Sequence, residues 1–293
     1  HNIAGRVYTR PASTERKSLV EDDLATKITC ESCHTDKPHK PGNKANDHTD
    51  KVACQTCHIP TFARVNPTKM SWDWSKSGEL KDGKKFKTKD ECGKYDYMSI
   101  KGQMKWAKNV QPKYLWYNGV IKSTTARDQI DPTQRVKVSW PVGNRQDLNA
   151  RIYPFKVHEG VQPYDKVNRT LLVPLLSSKE GYWDHLDWDR ALTKGQASLG
   201  LPYSKEFDFV ETDYVFPITH MVAPKEQSLT CNECHAKDGR LANLGGFYMP
   251  GRDANSVVRF LGWATILGSL LGVLIHGIGR FVARGNGNGR KED

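Results

Sequence analysis

The sequence predicts a mainly α-helical and irregular chain that packs around covalently bound groups and ends in a single transmembrane helix. Three observations carry that prediction. The pentapeptide Cys-x-x-Cys-His occurs three times, as Cys30-Glu-Ser-Cys33-His34, Cys54-Gln-Thr-Cys57-His58 and Cys231-Asn-Glu-Cys234-His235, and takes up six of the seven cysteines. Only 37% of the 293 residues are hydrophobic, and much of that lies near the C-terminus, so the rest is short of core for its length. The third observation is that C-terminal run itself, nineteen uncharged residues from Phe260 to Ile278, a length that crosses a bilayer.

The spacing within the pentapeptide has a chemical reason. Two thiols three residues apart can add to the two vinyl groups of one porphyrin, and the next residue places its imidazole on the iron. The sequence therefore calls for three haem c groups. They are held by Cys30, Cys33, Cys54, Cys57, Cys231 and Cys234, with His34, His58 and His235 as proximal ligands. A zinc ribbon competes, because the twenty residues between Cys33 and Cys54 suit a C-x2-C-x20-C-x2-C site. A ribbon has no need of a histidine after each cysteine pair, and three such histidines arise by chance about 4 times in 100,000 at this histidine content. A redox dithiol would need a thioredoxin-like βαβ pattern, which the sequence lacks. Each porphyrin is a large apolar plate, and packing loops and short helices against it makes up for the missing core.

The elements follow in order. Residues 1 to 70 form a haem-dense segment holding two motifs on short, polar, Pro-Gly punctuated connections such as Lys37-Pro38-His39-Lys40-Pro41-Gly42. Residues 71 to 215 hold no motif and are rich in aromatics, among them Trp72, Trp74, Trp106, Trp116, Trp140, Tyr153, Trp183 and Trp188. This stretch reads as a wrapping for haem faces, with short runs such as Arg135 to Trp140 able to form strands and Trp183 to Ala197 able to open a helix. Residues 216 to 250 bring the third motif, entered through an extended loop marked by Pro217 and Pro224. A linker at 251 to 259 leads to the transmembrane helix, 260 to 279, and a tail, 280 to 293.

Three sixth coordination positions remain to be filled. The histidines left over are His1, His39, His48, His158, His185, His220 and His276. His39 and His48 sit inside the haem-dense segment, His220 lies just upstream of the third motif, and His158 follows an aromatic run, so these are the axial candidates. A second histidine would give low-spin iron suited to electron transfer. His185, between Asp184 and Asp187, reads as a surface residue at a helix start, and the methionines read as packing. The odd cysteine, Cys92, is either a free thiol or an intermolecular or catalytic one.

The formal charge of +11 raises nucleic acid as a partner. However, lysine and arginine are dispersed, and haem propionates would neutralise part of the excess, so nucleic-acid binding is not expected. Haem c attachment implies export, and the chain begins at His1 without a methionine or signal peptide, as a processed product or a fragment would. Arg280, Arg284, Arg290 and Lys291 follow the apolar run, against Arg252 and Arg259 before it. The positive-inside tendency then puts the C-terminus in the bacterial cytoplasm and the haem domain in the periplasm, anchored in the inner membrane. Gly268, Gly272 and His276 recur every four residues and share a helix face suited to another helix in the lipid bilayer. His276 can donate to a backbone carbonyl, bond a quinone or ligate a b-type haem on a membrane subunit.

The runs CESCHTDKPHK, KVACQTCHIPTFAR, PTKMSWDWSKSG, YLWYNG, RIYPFKVHEG, QPYDKVNRTLL, GLPYS and PITHMVAPKEQSLTCNECHAKDGRL resemble the C-terminal half of the octahaem tetrathionate reductase family, over roughly residues 1 to 250. The resemblance implies a multihaem cytochrome whose irons mostly carry two histidines, plus a catalytic haem with an axial lysine that reduces small nitrogen or sulfur compounds such as nitrite, hydroxylamine or tetrathionate. In that pattern the catalytic haem belongs to the N-terminal half, and His1 resembles a distal ligand to an earlier haem. This chain has three motifs where the family has eight. It therefore reads as a membrane-anchored electron carrier between a membrane redox partner, or other haem proteins, and a periplasmic redox site. The alternative is a reductase or oxidase subunit whose catalytic haem lies on a preceding part.

Overall fold

The computed structural model describes residues 30–287; the candidate ligand His1 and the tail residues Arg290 and Lys291 lie outside them. The chain divides into two compact units at Thr230/Cys231. In the first, α1 (Glu31–His34) and α2 (Cys54–His58) carry two motifs, with a 3-10 turn at Lys44–His48 between them. Twelve strands follow: β1 (Thr68–Asp73), β2 (Leu80–Lys81), β3 (Lys84–Lys85), β4 (Lys87–Lys89), β5 (Tyr95–Met98), β6 (Gly102–Ala107), β7 (Lys113–Tyr117), β8 (Ile121–Ser123), β9 (Val136–Lys137), β10 (Ser139–Pro141), β11 (Arg151–Asp165) and β12 (Phe207–Pro217). Helices α3 (Tyr182–His185) and α4 (Trp188–Ser198) interrupt them before β12. The second unit holds α5 (Cys231–Cys234) and α6 (Ser256–Gly287).

The expectation of a mainly α and irregular fold is wrong. The centre of the first unit is a mixed eight-stranded sheet in the order β4-β5-β6-β1-β11-β12-β9, with β7 also on β11. Strand β11 is its spine. It pairs antiparallel with β12 from Phe155↔Pro217 to Asp165↔Phe207, antiparallel with β7 through its first residues, and parallel with β1 at Ser71↔Glu159 to Asp73↔Val161. Two prolines conceal this strand in the sequence, since proline cannot donate to a ladder. Pro154 pairs with β7 just before the β12 pairing begins, and Pro163 lies beyond the last β1 pair. Each proline thus sits where one flank has no paired strand.

Several aromatics of the stretch read as a haem wrapping build part of this unit's own core. Tyr153, Phe155 and Val215 pack with Ala53, and Tyr117 meets Tyr153 and Phe155 edge-on at 5.5 and 5.3 Å. Trp188 stacks at a tilt on Tyr182 at 4.2 Å and meets Trp74 and Phe209 edge-on. The bend into β6 depends on Gly102, whose φ is +80° and where a Cβ would lie 2.1 Å from the Asp73 carbonyl. In the second unit, every side chain of α6 from Ser256 to Arg284 is exposed. Its span Ser256–Arg284, mean hydropathy 1.8, is long and apolar enough to cross a membrane.

Candidate haem sites

Each pentapeptide folds into one helical turn. In the first motif the Cys30 carbonyl accepts from the His34 N–H at 2.9 Å, and in the third the Cys231 carbonyl accepts from the His235 N–H at 2.8 Å. The second motif forms α2, closed by Ile59 N–H donating to the Gln55 carbonyl at 2.9 Å. Residues i and i+3 of a helix share a face, so both thiols of each motif project together with the histidine one step on. Each motif's two cysteines and histidine are thus gathered on one turn. Among the described residues no group of three or more His, Cys, Asp or Glu converges as a metal-binding set.

The second motif is seated most deeply. The buried Thr56 hydroxyl donates to the Ile152 carbonyl at 2.8 Å, and the Ala53 N–H donates to the same oxygen at 3.0 Å, fixing α2 to the start of β11. The loop after β12 closes over its other side. Ala223 N–H donates to the His58 carbonyl at 2.8 Å and Leu229 N–H to the Cys57 carbonyl at 2.9 Å, while Ile218 packs with Ile59 and Phe62. The same loop, which leads in sequence to the third motif, thus braces the second. The first motif is tied alongside. Arg151 bridges Glu31 at 2.8 Å, and Gln55 Nε2 approaches Cys30 Sγ at 3.9 Å. A hydrogen bond between the Cys30 and Cys54 thiols pushes Cys30 up and draws Cys54 down. The two attachment points thus lie side by side. The buried Gln55 Oε1 beside them has no protein partner, which fits a site completed by a group other than protein.

The axial candidates separate clearly. His39 and His58 hold their rings parallel, 11° apart in plane, with centroids 6.3 Å apart. Two imidazoles that grip one metal from opposite sides, each nitrogen about 2 Å from it, place their ring centres about 6 Å apart. Asn46 clamps His39: its Oδ1 accepts from the His39 backbone N–H at 3.0 Å and from Nδ1 at 3.1 Å, and its Nδ2 returns to the His39 carbonyl at 3.1 Å. The proton is thereby held on Nδ1 and the lone pair left on Nε2, as a metal-binding imidazole requires. Burial, with His39 and His34 nearby, lowers the His58 pKa and favours the neutral ring. These residues fit haem. His235 is set in the same way by Nδ1 donating to the Pro250 carbonyl at 3.0 Å. Gly251 follows with φ +86°, where a Cβ would lie 2.0 Å from the His235 carbonyl.

His48 donates Nδ1 to the Lys44 carbonyl at 2.9 Å. His158, half-buried on β11, donates Nδ1 to the Lys69 carbonyl at 3.1 Å; burial lowers its pKa. His220 is exposed. His185 is exposed and bonds the Lys179 carbonyl, as expected of a surface residue. Cys92 is an exposed free thiol. Sequence reasoning missed Asn46, Thr56 and Arg151. Asn46 lies seven residues from His39 and left a local signal in its polar turn, whereas Thr56 and Arg151 act through partners that only the fold brings near.

A model of the family described as "Cytochrome c bacterial" matches residues 69–238. Among solved structures, the octaheme cytochrome c from Shewanella oneidensis is similar at 45% sequence identity with a TM-score of 0.68, over 73% of this chain. The chain spans about half of that protein, 49% of its length. No curated protein matches. The family model spans most of the sheet that seats the first two motif turns, and the chain belongs to the bacterial cytochrome c family, whose hallmark is covalently bound haem c.

Proposed function

We propose that the chain is a membrane-anchored three-haem cytochrome c, carrying electrons between a redox partner in the membrane and a redox site in the periplasm. The observation that carries this reading is the parallel His39–His58 pair at 6.3 Å, since an iron with two histidines has no open position for substrate and serves electron transfer. When bound, haem supplies the redox chemistry; the chain's own residues orient, bury and tune it. Asn46 fixes the His39 tautomer, Thr56 and Ile152 hold the second attachment turn on the sheet, and Arg151 holds the first turn beside it. His48, His158, His220 and His1 stand as candidates for the remaining sixth positions. Through α6 the haem-bearing part is anchored in the inner membrane with the C-terminus cytoplasmic, and the Gly268/Gly272/His276 face meets a membrane subunit, a b-type cytochrome among the candidates.

A second reading is favoured by one observation, the 49% coverage of an octaheme relative. In it, the chain is the electron-delivering part of a reductase or oxidase for small nitrogen or sulfur compounds, with the catalytic haem on a preceding part. Electron paramagnetic resonance of the ferric chain tests the carrier reading. Three low-spin haems that ignore cyanide fit a carrier, whereas a high-spin haem that binds cyanide or nitrite would sink the carrier reading for this chain.

A further inference from the structure

The formal charge of +11 is unevenly placed in the fold. Residues 76–108, which carry β2 to β6, hold ten lysines against five carboxylates, whereas residues 109–230 hold fifteen lysines and arginines against fourteen carboxylates. Ion pairs among the described residues, such as Arg135–Glu211, Arg151–Glu31 and Arg190–Glu180, use none of those ten lysines. Two of the carboxylates beside them are engaged locally: Asp90 Oδ1 accepts from the Lys94 backbone N–H at 2.9 Å, and Asp96 Oδ1 from the Thr88 hydroxyl at 2.6 Å. Lys81 and Lys84 are paired directly across the β2–β3 hairpin, and like charges so placed destabilise a strand pair. The hairpin is nevertheless held in position. Glu79 N–H donates to the Tyr97 hydroxyl oxygen at 3.2 Å, and the Lys85 ammonium donates to the Trp183 and Asp184 carbonyls at 2.6 and 2.8 Å.

Strand β4 lies within this basic surface and is the terminal strand of the sheet among those described, so one of its flanks is open. The Ser99 N–H donates to the Phe86 carbonyl at 3.0 Å. In an antiparallel pair, residues that bond across the ladder alternate with residues whose N–H and C=O point away from it. The main-chain groups of Lys87, opposite Met98, therefore face the open flank. Lys87 and Lys89 alternate onto one face of β4, and both lie over the Tyr95 ring, at 5.0 and 5.4 Å. An open edge is a template for another chain, and lysines on it keep other chains off. They do so selectively. A second copy of this edge, or any basic strand, is repelled, whereas a strand with carboxylates opposite Lys87 and Lys89 gains two cross-strand ion pairs in addition to main-chain bonds.

We propose that β4 docks an extended acidic segment of a partner protein, which adds to the sheet as a further strand and sets its carboxylates opposite Lys87 and Lys89. Main-chain bonds along the open flank give the contact its direction, and the lysines choose the partner by charge. Lys81 and Lys84 on the neighbouring hairpin raise the attraction for a segment with more than two carboxylates.

The test titrates the full chain with its haems, in neutral detergent, against a dye-labelled, end-capped peptide of about eight residues in which Thr and Glu alternate, a length and composition able to form a strand. Fluorescence anisotropy reads the binding, and we expect saturation at about one peptide per chain. The same peptide N-methylated at every residue keeps its charge but has no donor for a ladder, and it should bind at least about tenfold more weakly. A peptide alternating Thr and Lys should not bind. Lys87→Glu with Lys89→Glu should abolish binding of the Thr-Glu peptide. Lys122→Glu with Lys166→Glu, the same charge change at exposed positions elsewhere, should leave it unchanged. If the first pair fails to fold, Lys87→Gln with Lys89→Gln should weaken binding about tenfold. Absence of binding, binding that survives loss of Lys87 and Lys89, or a loss matched by the Lys122 and Lys166 pair would each overturn the proposal. Equal binding of the N-methylated peptide would mark a general anion surface, of the kind that lipid headgroups also occupy, and would overturn it as well.

Discussion

At the scale of single residues, hydrogen bonds decide which histidine can serve an iron. Asn46 holds both ends of His39, so Asn46→Ala should free the ring and weaken that axial bond about tenfold. Replacing His39 itself with Ala should turn one haem from low-spin to high-spin and leave the other two unchanged, as read by electron paramagnetic resonance. Asp165 shows the same logic away from the haems. Burial alone would raise its pKa, but the backbone N–H groups of Asn168, Ser204 and Val167 and the Ser204 hydroxyl all donate to it and hold it below the ordinary 3.8. A depressed folded pKa contributes stability that is fully present above the unfolded value and is lost as pH falls through the folded one. Asp165→Asn should therefore cost about 1–3 kcal/mol at neutral pH. The deficit should shrink below about pH 4, as urea melts at a series of pH values would show.

At the scale of elements, the turns that carry the cysteines are legible from the pentapeptide alone, because two thiols and a histidine on one turn leave little freedom. The strands beneath them are not. β11 carries Pro154 and Pro163, and β4 is the exposed run Lys87–Lys89, so neither shows the clean apolar alternation that marks a strand. Pairing with β7, β12 and β1 fixes β11, and those partners lie up to about ninety residues away in sequence. The aromatics are ambiguous for a related reason: a ring suits a porphyrin face and a sheet core equally well, and Tyr153 and Phe155 sit in the core. The same long-range dependence makes two substitutions diagnostic. Thr56→Val removes the hydroxyl bond to Ile152 and should cost about 1–3 kcal/mol, loosening the second attachment turn. Gly102→Ala places a Cβ against the Asp73 carbonyl at positive φ and should cost more than about 2 kcal/mol, measured by thermal melting.

At the scale of the whole molecule, a polar chain with only 37% hydrophobic residues meets the demand for a core in two ways. The sheet supplies aromatic clusters, and the attachment turns supply positions for large apolar plates. The C-terminal helix carries a run of exposed Leu, Ile and Val side chains, which supports the proposed membrane anchor. Deleting residues 256–293 should move the protein from the membrane fraction to the soluble fraction while leaving its haem content unchanged; a protein that stays with the membrane would remove the anchor from the account. The central claim is that all three motifs carry haem and that the chain is therefore a relay. The intact mass of the denatured chain tests it most directly, because thioether-bound haem survives denaturation and a zinc ion does not. The account predicts a mass equal to the polypeptide plus three haems. A mass equal to the bare polypeptide, or to fewer than three additions, would contradict it.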